Sequence, residues 1–334
     1  MARSEMAEAG RGGARAAAEG PATFRRLLRP SGPTKLARLE RGQKGKSMTV
    51  SLRPAQPADA APLGRIVFEA FKRINESHGF PPDFPSVEAA SGLAGAFIAH
   101  PSIYGVVAEQ DGTVIGSNFL DERDAVRAVG SITIDPARQA QGVGRLLMEA
   151  AIERGKAARS IRLVQDAFNA RSLGLYASLG FETKEPLMLM RGKPRGKPDA
   201  GVRVRPLVAA DIPACAALCE ATHGLSRANE LGDSLKMFRP FAVERGGRVV
   251  GYLASANFWI QNHGMAETEA DLKALILGAG AASSEPIEFL FPIRQAGLFR
   301  WLLGEGLKIV KPMTLMARGW YQEPRLPWFP TVSY

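Results

Sequence analysis

Apolar positions along this chain change their period at legible points, and each change marks an element. Ser131-Ile132-Thr133-Ile134 reads as an apolar strand that stops at Asp135-Pro136, a sharp turn. From Val143 the period lengthens: Val143, Leu146, Leu147, Ala150 and Ala151 fall at i, i+3, i+4, i+7 and i+8, the spacing of one buried helical face. A helix end is expected around Gly155, then a second strand over Ile161 to Gln165. Ser172, Leu175, Tyr176 and Leu179 share the face of a further helix, which Gly180 is placed to stop. No run of about 18 apolar residues occurs, so a membrane span is not expected.

Between the first strand and its helix lies Gln139-Ala140-Gln141-Gly142-Val143-Gly144-Arg145. A helix start leaves about four backbone N–H groups without intrahelical partners and carries roughly half a positive charge, so it attracts phosphate. Gly142 and Gly144 lack a Cβ, which lets a diphosphate come close to the backbone. Arg138 and Arg145 flank the loop and suit pairing with phosphates, although Arg145 equally suits the surface of its helix.

This strand, glycine loop and helix, followed by Asn169…Leu175-Tyr176…Leu179-Gly180-Phe181 in that order and spacing, resembles the GNAT superfamily of acyl-CoA-dependent N-acyltransferases over about residues 49 to 190. The resemblance implies an α/β fold (an α+β mixed sheet, mostly antiparallel and flanked by helices) whose fourth and fifth strands splay. It also implies acetyl-CoA as the acyl donor, with the pantetheine arm in the wedge between those strands and the pyrophosphate on the glycine loop. Transfer would go to a small-molecule or peptide amine by direct attack in a ternary complex, with no metal. Cofactor contacts would come from the strand backbone at Ile132 and Ile134. Others would come from Arg138, Gln139, Gln141, Gly142, Val143, Gly144 and Arg145 of the loop, and from Asn169, which either orients the cofactor or caps its helix.

Tyr176 matches the position where this family commonly has a tyrosine near the CoA sulfur, and its phenol suits protonation of a departing thiolate; the plainer role is a buried aromatic. Many relatives carry a glutamate on the fourth strand, but Val129 to Ile134 contains no acid. The candidate bases are therefore Glu122, among Asp121, Glu122 and Asp124 just before that strand, and His78. His78 opens the stiff aromatic loop His78-Gly79-Phe80-Pro81-Pro82-Asp83-Phe84-Pro85, where the family commonly shapes its acceptor pocket. The missing strand glutamate also leaves open an acyl-CoA-binding sensor without turnover.

The second half echoes the first at three places. Arg53-Pro54 with Ala58-Asp59 is matched by Arg205-Pro206 with Ala210-Asp211; Glu109 to Gly116 is matched by Glu244 to Gly251; Gly180-Phe181 with Pro186 is matched by Gly306-Leu307 with Pro312. Three ordered coincidences argue for a duplication resembling paired GNAT proteins. Residues 48–192 would form the catalytic domain, 193–201 a Gly/Pro/Lys-rich linker, and 202–334 a degenerate second copy. That copy has no Gln-x-x-Gly-x-Gly loop. Thr268-Glu269-Ala270-Asp271 instead starts its helix with acids that repel phosphate, so CoA binding is expected to be lost there. The copy would wall the substrate cleft, support the fold, or both. Its ending, Trp320 to Pro324 and Trp328-Phe329-Pro330, reads as a packed tail or a lid over the acceptor.

Composition changes this picture in only two respects. The chain of 334 residues has a formal charge of +10, but residues 1–47 hold 11 Lys/Arg against 4 Asp/Glu, a net +7, leaving +3 for the rest. Nucleic acid is therefore not the expected partner of the folded part, and residues 1–47 read as a disordered basic tail, with Met48 a candidate start. Cys215 and Cys219, the only cysteines, sit four apart as small apolar residues of a helix, and their number suits a reducing cytoplasm. The oligomeric state is not legible in the sequence.

Overall fold

In the computed structural model, residues 38–40, 49–139 and 142–333 are described; most of the basic tail, Met48 and Gln141 lie outside them. The first half runs β1 (Arg38–Glu40), β2 (Thr49–Pro54), α1 (Ala60–Ser77), α2 (Val87–Ala99), β3 (Ile103–Gln110) and β4 (Thr113–Asp121). It continues through β5 (Arg127–Val129), β6 (Thr133–Ile134), α3 (Val143–Arg154), β7 (Ser160–Asp166), α4 (Ala170–Ser178) and β8 (Glu182–Gly192). Residues 38–40 depart from the disorder expected of the tail: Arg38 pairs with Ser51 and Glu40 with Thr49. The free edge of β2 offers unpaired backbone groups that a short extended segment satisfies.

The second half repeats the order as β9 (Val202–Pro206), α5 (Ile212–His223), α6 (Ala228–Met237), β10 (Phe241–Arg245), β11 (Arg248–Leu253) and β12 (Gly264–Ala266). Then come α7 (Glu269–Ala282), β13 (Ile287–Pro292), α8 (Ala296–Gly304), β14 (Lys308–Gly319) and β15 (Trp328–Phe329). The echoes in sequence have matching geometry. Arg53 reaches Asp59 and Glu109, each at 2.7 Å, and Arg205 reaches Asp211 at 2.7 Å and Glu244 at 2.5 Å. In both halves the arginine holds its aspartate below the usual carboxylate range. Both hairpins shift register at the glutamate, between Ala108 and Glu109 and between Val243 and Glu244. Each turns on two positive-φ residues, Asp111-Gly112 and Gly246-Gly247, as the tightest hairpin turn requires.

The strands are not divided as the sequence is. A ten-stranded sheet runs β1-β2-β3-β4-β5-β7-β14-β8-β13, with β6 on β4, and a five-stranded sheet runs β15-β12-β11-β10-β9. β8, which ends the first half, and β14 of the second are thus each placed beside the other half: β14 pairs with β7 from Met313↔Asp166 to Gly319↔Ser160, while β8 pairs with β13. β8 and β14 also pair antiparallel with each other at the centre, so both strands bury both their edges against the other half. Pairing is antiparallel except between β5 and β7.

Helices cover both faces of the first sheet. Leu63 of α1 and Ala94 of α2 pack with Val107 and Phe119 on one face, and Val143 and Leu147 of α3 with Val106, Ala108 and Ile115 on the other. A larger cluster joins the halves, bringing Val67, Ala90 and Ala128 together with Leu189, Cys215, Cys219 and Leu315. Both cysteines are buried as the helical spacing implied, and burial pushes each thiol up to about 12. Among the described residues no helix is long and apolar enough to cross a membrane.

Candidate active site

A wedge opens inside the first sheet. β5 meets β7 in parallel only at Arg127↔Ile161 and Ala128↔Arg162; beyond that, the Gly130 N–H donates to Phe119 O of β4, Ser131 and Ile132 lie outside any ladder, and β6 pairs with β4 alone. The strand bearing Ile132 and Ile134 therefore diverges from β7, as the expected splay requires. Thr133 and Gln165, on the two strands bordering this gap, are buried, and Thr133 Oγ1 and both polar ends of Gln165 have no hydrogen-bond partner among the described residues. Buried polar atoms are normally paired, so these orphans are what a polar ligand along the wedge would satisfy.

The glycine loop follows β6 directly. Asp135 Oδ1 accepts from the Ala137 N–H at 2.9 Å, fixing a single 3-10 turn over Pro136–Arg138. Gly142 then adopts φ 79°, ψ 0°, a left-handed conformation open to glycine and costly to most side chains, and it starts α3 without any side-chain cap. The first N–H groups of α3 are thus left for an anion. At Gly144 a Cβ would come within 3.1 Å of Ile134 Cδ1 and 3.5 Å of Leu175 Cδ2, so glycine lets α3 sit tightly between β6 and α4. Val143 is buried beneath the loop, while Arg138, Gln139 and Arg145 are exposed around it. Gln139 Oε1 accepts from Arg171 at 3.3 Å, and Arg145 donates to Ser178 Oγ at 2.6 Å.

Asn169 caps α4, accepting the Ser172 N–H at 3.2 Å, which satisfies the cap reading. One turn beyond Ser172, Tyr176 is 6% exposed and packs with Met148, Leu163 and Phe181. Burial pushes its phenol up to about 12 despite a hydrogen bond with the Ser172 hydroxyl, so it stays protonated at neutral pH. His78 ends α1 on the opposite face of the sheet. Its Nδ1 lies 2.9 Å from Ile74 O and its ring 4.9 Å from that of Phe168, which also stacks on Phe80 at 4.5 Å. The aromatic loop after α1 thus touches the residue just before Asn169.

Glu122 is not brought to this place. Its carboxylate is held by Arg154 at 2.7 Å and Arg127 at 3.7 Å, beside the last residue of α3, one full helix length from the glycine loop. Asp124 is also engaged, accepting the Asn229 and Glu230 N–H groups at the start of α6. The structure instead brings Asp83 and Asp166 close together, joined by Lys311 of β14. Local pattern gave no sign of this, because the lysine lies 145 residues after Asp166.

In the second half the corresponding gap between β12 and β13 is filled by the chain itself. β15 pairs with β12 through Gly264↔Phe329 and Met265↔Trp328, and the Phe329 ring lies 4.8 Å from that of Phe289 on β13. Gln295, which precedes α8 as Asn169 precedes α4, accepts the Trp328 N–H at 3.2 Å and donates to Trp328 O at 2.7 Å. Of the two readings of the ending, this is the packed tail. Thr268 caps α7 through the Asp271 N–H, with Glu269 and Asp271 in its first turn, so that helix start is already occupied and acidic.

Residues 67–181 match the Acetyltransferase (GNAT) family. Comparison with curated protein sequences returns no match. Among solved structures, a Pyrococcus horikoshii protein provisionally described as an acetyltransferase aligns with TM-score 0.67 at 14% identity, covering 85% of this chain and 94% of that one. A GCN5-related N-acetyltransferase from Sphaerobacter thermophilus aligns at 0.54 and 15%, over 85% and 98%. A tandem GNAT protein from the clavulanic acid biosynthesis pathway aligns at 0.51 and 13%, over 80% and 98%. At these identities the likeness is one of fold, and it extends across both halves. The family match identifies residues 67–181, the segment that holds the splayed strands and the uncapped glycine loop, as a domain of the acetyltransferase (GNAT) family.

Proposed function

We propose that residues 48–192 form an N-acetyltransferase that moves an acetyl group from acetyl-CoA to a primary amine, and that residues 202–334, joined to it by 193–201, are a degenerate copy that does not bind CoA. The observation that carries this reading is the left-handed Gly142 at an uncapped helix start, directly after a strand that has left its neighbour. The diphosphate would lie on the N–H groups from Gly142 to Arg145, with exposed Arg138 and Arg171 beside it. The pantetheine amides would pair with backbone groups of Ser131 and Ile132 and with the orphaned Thr133 and Gln165 side chains.

Chemistry then needs a neutral amine, a polarised carbonyl and a proton for the leaving thiolate. Tyr176 supplies that proton in this scheme, since burial keeps its phenol protonated. On the acceptor face, His78 is the side-chain base this reading retains: with Nδ1–H donating to Ile74 O, Nε2 carries the free lone pair. The amine attacks the thioester carbonyl directly and gives up a proton to His78 Nε2, the C–S bond breaks as the amide forms, and the sulfur takes the phenolic proton; the proton held by His78 then returns through solvent to restore the Tyr176 phenol.

Calorimetric titration with acetyl-CoA, followed by release of free thiol against a panel of primary amines, tests the reading. Binding with turnover is expected. Binding without acetylation of any amine would favour a sensor, a reading supported by the absence of any acid from Arg127 to Ile134. No binding would overturn both.

A further inference from the structure

A buried charge cluster outside the glycine loop ties the two halves together at the acceptor face. The Lys311 ammonium lies 2.6 Å from Asp83 Oδ1 and 2.7 Å from Asp166 Oδ1, and it donates to Asn75 Oδ1 at 3.4 Å. Asn75 Nδ2 in turn donates to Asp83 Oδ2 at 3.2 Å. The side chains of Lys311, Asp83 and Asp166 are 1%, 7% and 5% exposed, and the ammonium sits 5.4 Å from the Trp259 ring centre. Each member comes from a different element: Asn75 from α1, Asp83 from the loop before α2, Asp166 from the end of β7 and Lys311 from β14.

One ammonium among two nearly buried carboxylates sets where these elements sit. Without it the carboxylates would face each other in a poorly solvated place, and either repulsion or protonation would follow. Only one of the elements is free to give way. Asp166 is fixed by the β7–β14 ladder, whereas Asp83 belongs to an irregular loop in which His78 and Phe80 rest against Phe168 and Phe84 packs on Phe71 of α1. The Asp166 carbonyl also accepts the Asn169 N–H at 2.9 Å, linking the cluster to the start of the helix that carries Tyr176.

We propose that Lys311 is a positioning residue for the acceptor side of the first half's site: the second half supplies the charge that holds the His78–Pro85 loop at its distance from Tyr176. This rests on the acetyltransferase reading above, and it makes the second half part of the transfer machinery as well as support. Misplacement of an acceptor by about 1 Å costs on the order of a hundredfold in rate, while a donor held by the glycine loop would not sense the change.

The test compares the full chain with Lys311→Met and with Asp83→Asn, which leaves the Lys311–Asp166 pair in place and serves if the lysine variant does not fold. The probe is the primary amine on which the wild-type protein is most active. The expected result in either variant is a fall of tenfold or more in kcat/KM for the amine, with KM for acetyl-CoA and its calorimetric Kd within about twofold of wild type. Unchanged amine kcat/KM in both variants, or acetyl-CoA Kd worsening along with it, overturns the proposal. Should the wild-type protein bind acetyl-CoA yet acetylate nothing, the transfer reading falls by itself. Amide exchange then decides the positioning: faster exchange confined to residues 76–84 in the variants supports it, and unchanged exchange overturns it.

Discussion

Replacing Gly142 by Asp separates helix stability from anion binding. At φ 79° most L-residues are strained by about 1–2 kcal/mol, but Asp is among the few that visit this region, so the loop keeps its path at a cost near the lower end. A carboxylate at an uncapped helix start is favourable by roughly 0.3–1 kcal/mol, which offsets most of that strain. The thermal midpoint should therefore move by no more than a few degrees. Acetyl-CoA would respond differently, because its diphosphate and the new carboxylate compete for the same N–H groups. Two charges about 4 Å apart interact by about 1 kcal/mol in water and about 4 kcal/mol near a protein surface, and Gly142 is exposed. Taking about 1.5–2 kcal/mol gives a Kd weakened by roughly ten- to thirtyfold, with the deficit shrinking as salt is raised. Calorimetry at two ionic strengths reads both quantities. An acetyl-CoA affinity within twofold of wild type, in a protein of normal midpoint, would refute the placement of the diphosphate on this loop.

Tyr176→Phe keeps the packing and removes the proton, so kcat should fall by about a hundredfold with acetyl-CoA Kd unchanged, as steady-state kinetics with calorimetry would show. Glu185 is 3% exposed, and burial raises its carboxyl from the ordinary 4.5 to about 7, against weak relief from Arg294 at 3.5 Å. Because the folded value is raised, its contribution is most favourable below about pH 4.5 and is lost as pH rises through 7. Glu185→Gln should accordingly stabilise the protein by up to about 3 kcal/mol at pH 8 and by little at pH 4.5, measured by urea unfolding at both; equal effects at the two would contradict the burial argument. Phe329→Ala should cost about 3–5 kcal/mol in the same assay, since the ring is fully buried between β12 and β13, and it should create no second acetyl-CoA site in calorimetry.

Features that depend on neighbours a few residues apart could be read from the order of residues. The α3 stripe, the glycine loop and the α4 face with its Gly180 stop, at φ 85°, were legible because helical period and turn chemistry are local. The repeat was legible because Arg53, Asp59 and Glu109 recur in order as Arg205, Asp211 and Glu244. Tertiary structure alone decided which strand lies next to β7 and what fills the second wedge. It also paired Glu122 with Arg154, away from the cleft, and set Lys311 beside Asp83. These pairings span from tens to more than two hundred residues, and period-2 strands with apolar faces are interchangeable as neighbours until edges, volumes and buried charges are matched in three dimensions. Charge is the clearest case: a carboxylate in the sequence is only a candidate, and the cation that folding brings to it decides whether it faces substrate, anchors a loop or ties down a helix end.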